Sequence, residues 1–418
     1  MKATHNHSLL ASFFFCNIAL AADPLILSSD LVYQGAFRVP QGAQDFSYAN
    51  DGIAYYATNN SLFVKCKGAN FNDTSQQKVT EINIPTLVNS SNISSLNTAT
   101  LKQACADITE NHLNPQNITN GMVIGGLMAY NNKLIGSTWA YYDGAGQQTL
   151  SHFYHSLNVS QTGTYKGHYA LNVSPAFAGY VGGYMTTVPS QWQSLVGGPA
   201  LTGSCCHAII GKQSTGPSVW VFDPDLMGVQ NPVPATPLVY YNLDHPTLGT
   251  WGYPLPANPV YNIMTKITGI VWPTGTRTIL LFGSTGLGSQ CYGGTTQLGS
   301  GSCNDPDYPQ DKGVHAYPYA YYVWAYDAND FVSVKNGVKK PWEIVPYSHW
   351  QLTLPFDAAK AELNGAAYDP ATKRIYVSQY CADNSPVYCL PVIHAFQLTT
   401  GTTPTQTLSA PQQLRTLP

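Results

Sequence analysis

The chain predicts an all-β fold: five repeated units of four antiparallel strands, with long inserted loops and one or two short helices. Three observations predict it. A strand, turn, strand pattern opening on glycine recurs at Gly52 (GIAYYATNNSLFVKC), Gly126 (GLMAYNNKLIGSTW), Gly183 (GYMTTVP, then ALTGSCC), Gly269 (GIVWPTGTRTILLFGST) and Gly365 (GAAYDPATKRIYVSQYC). The copies lie roughly 60 to 100 residues apart, a spacing at which each unit buries its apolar face only against its neighbours. Third, every copy is followed after a variable loop by another apolar run, as in Val219 to Asp223 (VWVFD) and Val323 to Asp327 (VWAYD).

Taken in chain order, Leu31 to Phe37 (LVYQGAF) reads as a strand ahead of the first copy, free to pair with the last unit and close a ring. Within the copies the first strand is apolar, and the second ends in serine or another small residue. Asn131-Asn132, Pro273-Thr274-Gly275 and Asp369-Pro370-Ala371-Thr372 supply hairpin turns, because these residues tolerate or preset turn dihedrals. Third strands are expected at His152 to Val159, Val219 to Asp223, Val323 to Asp327 and Val392 to Leu398, and fourth strands at Leu238 to Tyr241 and Trp342 to Tyr347. Ser94 to Ile108 and Pro189 to Val196 read as short helices. A degenerate unit within Asn231 to Asn262 would raise the count to six or seven. Four-stranded units around an axis are propeller blades, and the chain resembles β-propellers as a class. No kelch, WD40, Asp-box or quinoprotein signature is present, so no catalytic residues carry over from a family.

The first residues read as a secretory signal peptide spanning 1–22. Lys2 precedes an apolar run from Leu9 to Ala21 too short to cross a bilayer, and Ala19-Leu20-Ala21 offers a small-x-small cleavage site. Cys16 would leave with it, and residues 23–418 would form one propeller domain. Without Lys2 the formal charge falls from −3 to −4 on a chain only 10% charged, which excludes a nucleic-acid partner that needs a clustered basic face. No later segment is apolar enough for a membrane span. With 28 Tyr against 14 Phe and 12% aromatics, the surface suits neutral, hydroxyl-rich ligands, although Tyr also fills half-buried strand positions. Seven Asn-x-Ser/Thr sequons follow the leader, at Asn59, Asn72, Asn89, Asn92, Asn117, Asn158 and Asn172.

Eight cysteines beyond the leader imply disulfides in an oxidising compartment. Proximity pairs Cys66 with Cys105, Cys291 with Cys303 and Cys381 with Cys389, leaving Cys205 for Cys206 or for exchange among the loop cysteines. A bridge between neighbours is strained, since their Cα atoms stand about 3.8 Å apart where ordinary bridges span roughly 4.4 to 6.8 Å. Unusual residues follow each second strand at once, so one rim should collect the functional groups. Trp139, Tyr141, Tyr142, Cys205, Cys206, Lys266, His315 and Asn364 are candidate ligand contacts there, with His207 a candidate base. Asp305, Asp307 and Asp311 offer oxygens to Ca²⁺ but lack the Asp-x-Asp-x-Asp-Gly order, which leaves a solvated loop as the alternative.

Asp51, Asp143 and Glu362 are the carboxylates that would converge near the axis, as glycoside hydrolysis requires of an acid and a base or nucleophile. Elimination from a uronate would instead use a base such as His207 and a neutralising cation. The expectation is therefore a secreted propeller acting on extracellular polysaccharide, as hydrolase or lyase. A glycan-binding or surface-interaction protein without chemistry is the competing class, and the sharp differences among the five loops favour one site.

Overall fold

The computed structural model describes residues 23–400, except 41–45, 48, 67–76, 206–209, 243–259, 294–302, 308–312, 359–360 and 385–388. The signal peptide expectation therefore lies outside the described residues, as do Cys206, His207 and Asp311. Among the described residues no helix is long and apolar enough to cross a membrane.

The chain forms a five-bladed β-propeller. Strand β1 (Leu31–Arg38) precedes blade 1, which holds β2 (Ile53–Tyr56), β3 (Ser61–Cys66) and β4 (Lys78–Asn83). Its fourth position is filled by an irregular segment that bridges Val79 to Ala106 and Ile82 to Leu101. Blade 2 is β5 (Met122–Tyr130), β6 (Lys133–Ala140), β7 (His152–Ser156) and β8 (Lys166–Tyr169). Blade 3 consists of β9 (Met185–Thr187), helix α1 (Ser190–Val196), β10 (Ala200–Thr202), β11 (Val219–Phe222) and β12 (Ala235–Val239). Blade 4 contains β13 (Lys266–Val271), β14 (Thr278–Gly286), a small hairpin of β15 (Cys291–Tyr292) and β16 (Val314–His315), then β17 (Tyr319–Asp327), α2 (Ala328–Lys335) and β18 (Ser348–Gln351). Blade 5 is β19 (Leu363–Asp369), β20 (Arg374–Asn384) and β21 (Cys389–Leu398), completed by β1 as its outermost strand. Leu31 pairs with Leu398 and Arg38 with Val392, so the first strand closes the ring as its pattern predicts.

The five innermost strands β2, β5, β9, β13 and β19 each touch the next around the axis. This contact explains the repeat glycines. A Cβ on Gly126 would lie 2.1 Å from the Gly183 carbonyl oxygen, and one on Gly269 would lie 2.5 Å from the Ala366 nitrogen. Side chains at these positions would force neighbouring blades apart, so the sequence signature records blade-to-blade backbone approach. Between blades 3 and 4, Trp272, Trp324, Tyr241 and Tyr326 are fully buried. Tyr326 Oη meets the Oη atoms of Tyr241 at 3.1 Å and Tyr261 at 2.7 Å, which satisfies the hydroxyls that such burial strands.

Four expectations need correction. Ser94 to Ile108 is not a helix: a 3-10 turn at Ile93–Ser95 leads into the bridges to blade 1, whose strand edge captures the segment. Trp342 to Tyr347 begins with a 3-10 turn at Pro341–Glu343, and the fourth strand of blade 4 lies beyond it at β18. Asn231 to Asn262 holds β12, the fourth strand of blade 3, and no further unit among the described residues. The shared Gly-Ser dipeptide suggests that Gly283-Ser284 aligns with Gly136-Ser137, and it does not. Ser137 pairs with Gly126 and Ser378 with Gly365, whereas Gly269 pairs with Phe282, so Gly283-Ser284 sits two residues further along. The helix at Pro189 to Val196 is present as α1, with Pro189 at its N-cap and Gly197 in the left-handed conformation at its end.

Candidate functional site

Antiparallel pairing puts the start of each inner strand and the end of each second strand on one face: Met122 opposes Ala140, Lys266 opposes Ser284 and Leu363 opposes Gln379. At this face the residue before the repeat glycine has a distinct place. Gly125, Thr268 and Asn364 are the extra residues of β-bulges in blades 2, 4 and 5, and Asp51 and Gly182 precede Gly52 and Gly183 in blades 1 and 3. A bulge turns its extra residue out of the ladder, which is how such a fold re-aims side chains. Trp139 fills the glycine side of this layer: Cβ atoms on Gly125 and Gly182 would lie 2.5 Å and 2.9 Å from its Cδ1 and Cβ.

Asp51 is the central group. It is 1% exposed, neither carboxylate oxygen has a hydrogen-bond donor among the described residues, and its backbone holds φ at +52°. Asp tolerates this left-handed conformation better than most residues. A buried carboxylate without donors is costly, on the order of several kcal/mol, unless other charges or a ligand offset it. Two ammonium groups feel its charge. Lys65, on β3, is 3% exposed, and its Nζ donates to Asn50 Oδ1 at 3.3 Å and to the Ile124 carbonyl at 3.1 Å. Burial pulls the Lys65 ammonium down to about 8; Asp51 opposes that fall and Lys266 adds to it. At Lys266 burial also acts downward, but Glu362, with Nζ to Oε2 at 3.3 Å, and then Asp51 outweigh it and hold the ammonium above its ordinary value.

Around these charges stand buried polar atoms in varied states of satisfaction. Thr268 Oγ1 has no partner, and neither has Gln77 Nε2, whose Oε1 accepts from the Ile124 amide at 3.2 Å. Asn364 Nδ2 donates to the Ala49 carbonyl at 3.1 Å, tying blade 5 to blade 1. Asp51, Lys65, Asn364 and Ser378 share a cavity of about 10 Å³, room for a single water-sized atom. The arrangement can therefore hold one polar atom against a carboxylate that has no other donor, beside an amine poised near neutrality.

The structure brings Asp51, Lys266, Glu362, Asn364 and Trp139 to one end of the axis, as expected from their places in the repeat. It adds Lys65 and Gln77. Lys65 carried a signal in the sequence, since it is a lysine in an otherwise buried second strand (SLFVKC) where blades 2 and 5 place Ser137 and Ser378. Asp143 is a correction: its two oxygens accept the Gln147 and Gln148 amides at 2.7 Å and 2.8 Å, so it caps a turn away from the other carboxylates. Tyr141 reaches Trp139 with ring centroids 6.3 Å apart, while Tyr142 is 45% exposed on the rim, bridged to Ile210.

A second cluster lies beside the Cys291–Cys303 bridge. Asp305, fully buried, accepts from His315 Nδ1 at 2.7 Å and Tyr319 Oη at 2.6 Å through Oδ2, and from the Asp307 amide at 3.0 Å through Oδ1. Its oxygens are thus engaged by protein donors, while Asp311 lies outside the described residues; among the described residues no group of three or more His, Cys, Asp or Glu side chains could hold a metal ion. The disulfides Cys66–Cys105, Cys291–Cys303 and Cys381–Cys389 are present, with Cα separations of 6.2, 5.7 and 4.5 Å. Cys205 is also disulfide-bonded. These bridges are compatible with an extracellular protein.

No protein-family model matches this chain, and no curated protein does. Solved structures are similar to this chain at low identity. An exo-1,5-α-L-arabinanase from a bovine ruminal metagenomic library is 8% identical over 84% of this chain and 94% of its own, with a TM-score of 0.39. A glycosyl hydrolase from Bacteroides ovatus is 11% identical over 87% and 93%, with a TM-score of 0.38. A luciferin-regenerating enzyme is 10% identical over 87% and 95%, with a TM-score of 0.34. Likeness of this degree carries no argument about activity.

Proposed function

We propose that this is a secreted propeller that acts on an extracellular glycan at the axial end holding Asp51, Lys65, Lys266 and Glu362. The observation that carries the reading is the Asp51 carboxylate, buried without a hydrogen-bond donor beside a water-sized cavity. A group left in that state serves stability poorly, and perturbed ionisable groups at a convergent polar site are where chemistry is expected. The charge balance around it is even, two carboxylates against two amines, which suits a neutral or weakly charged saccharide. The low overall charge points to the same ligand class.

In the hydrolytic form Asp51 holds the attacking water, and Lys266 fixes Glu362 across the mouth. Lys65 supports a second form, elimination from a uronate: its depressed ammonium yields an amine able to take a proton near neutral pH, with Lys266 facing the uronate charge. Purified protein incubated with a broad polysaccharide panel separates the two, because hydrolysis releases reducing ends alone and elimination also creates unsaturated uronate absorbance. Silence in both channels together with retention on a glycan column would replace the enzymatic reading with the binding one.

A further inference from the structure

We infer that the opposite end of the propeller axis is a second binding site, for a neutral, hydroxylated ligand the size of one sugar ring. A cavity of about 280 Å³ opens there, lined by the far ends of the inner strands of all five blades. Asp51 is not part of it, and the inference does not rest on chemistry at the other end.

The walls define the ligand. Among the described residues lining the cavity none is charged, so an ion entering it would shed water without gaining a partner. Apolar lining comes from Leu127, Met185 and Ile270, and aromatic lining from the half-buried Tyr55 and Tyr368. Polar groups come from two sources. Thr187 and Thr274 are exposed at the mouth, where Thr274 Oγ1 meets Tyr368 Oη at 3.2 Å. The second source is the backbone. Each of β2, β5, β9, β13 and β19 is the terminal strand of its sheet, so every second residue turns its amide and carbonyl away from its one partner and toward the axis. Five such edges around one cavity present alternating donors and acceptors without charge. Neutral donors and acceptors beside aromatic faces are the complement of a saccharide ring, with its equatorial hydroxyls and apolar C–H faces. At about 280 Å³ the space falls just below the roughly 300 to 1,000 Å³ of drug-sized ligand sites, which admits one ring and excludes an oligomer.

Saturation-transfer NMR with a panel of neutral aldopentoses, aldohexoses and their methyl glycosides tests this on the whole protein. The expected result is transfer to at least one sugar in the wild type, weakened tenfold or more by Thr187→Trp and by Thr274→Trp, which cover the cavity mouth from the end of β9 and from an exposed turn. Transfer should persist in Asp51→Asn, which disables the other end. A thermal melt confirms that each variant is folded, and Thr274→Trp, lying at an exposed turn, supplies the test should Thr187→Trp fail to fold. Absence of transfer for every neutral sugar in the wild type would overturn the inference, as would undiminished transfer in the folded cavity variants. Loss of transfer in Asp51→Asn alone would assign the binding to the opposite end and overturn it equally.

Discussion

Acidification should unfold this propeller between pH 6.5 and 5 through three histidines held neutral in its interior. His152, His168 and His394 are buried, and burial is the first cause that lowers each to about 3. The hydrogen bonds fix the neutral form at two of them. Gln379 spends its amide nitrogen on Tyr321 Oη and the Phe356 carbonyl, so its Oε1 accepts from His394 Nε2 at 2.9 Å and leaves Nδ1 to accept from Tyr33. Thr202 Oγ1 donates to the Val181 carbonyl and therefore accepts from His152 Nε2 at 3.0 Å. A folded value below the unfolded 6.5 means that the unfolded chain binds more protons in this window, so stability is present above pH 6.5 and lost as pH falls toward 3. With a folded value near 3, each histidine costs about 2 kcal/mol by pH 5, and the three together about 6 kcal/mol. That sum is comparable with the whole stability of a typical domain, about 5 to 15 kcal/mol. Urea melts from pH 7.5 to 4.5 read the slope, and His394→Gln should lower the loss between pH 7.5 and 5 by about 2 kcal/mol. A flat profile over this range, or an unchanged slope in His394→Gln, would refute the reasoning.

Two further substitutions probe the frame and the second cluster. Gly126→Ala drives a methyl into the Gly183 carbonyl and should cost about 3 kcal/mol or more in a denaturant melt, whereas Gly275→Ala, at φ +72° with nothing within 4 Å of its Cβ, should cost only about 1 kcal/mol. Asp305→Asn breaks the buried contacts to His315 and Tyr319 and should destabilise by about 3 to 5 kcal/mol, and added Ca²⁺ should leave the wild-type melting temperature unchanged because those oxygens are already engaged.

The sequence showed the propeller because blade contact is written in glycines. Gly126 and Gly269 are demanded by backbone of the next blade, Gly52 and Gly365 hold positive φ, and Gly183 packs on Gly203 within its own blade. Outer strands are under no such constraint. β8 (KGHY) and β18 (SHWQ) are largely exposed or half-buried and carry no alternation, which is why the fourth strands were the least legible. The apolar spacing of Leu96, Leu101 and Ile108 imitates a helix, yet bridges to β4 hold that segment extended. Helix α2 was missed because its N-cap Asp327, which accepts from the Asn329 amide, reads as the end of a strand. At the site the sequence found Asp51, Lys266, Glu362 and Asn364 through their shared place before each repeat. It missed Lys65, which reaches the axis from the second strand, and took Asp143 for a free carboxylate where backbone amides use it as a cap. Only three-dimensional pairing separates a carboxylate with donors from one without.

On the proposed function Asp51 is kept for a ligand at the expense of stability, and Asp51→Asn tests this directly because Asn tolerates the same left-handed backbone. Melting temperature and glycan turnover should be measured on the same preparation. Turnover on the glycan identified in the panel should be lost while the melting temperature stays level or rises. A lower melting temperature with turnover intact would make Asp51 a structural residue and contradict the assignment of the site.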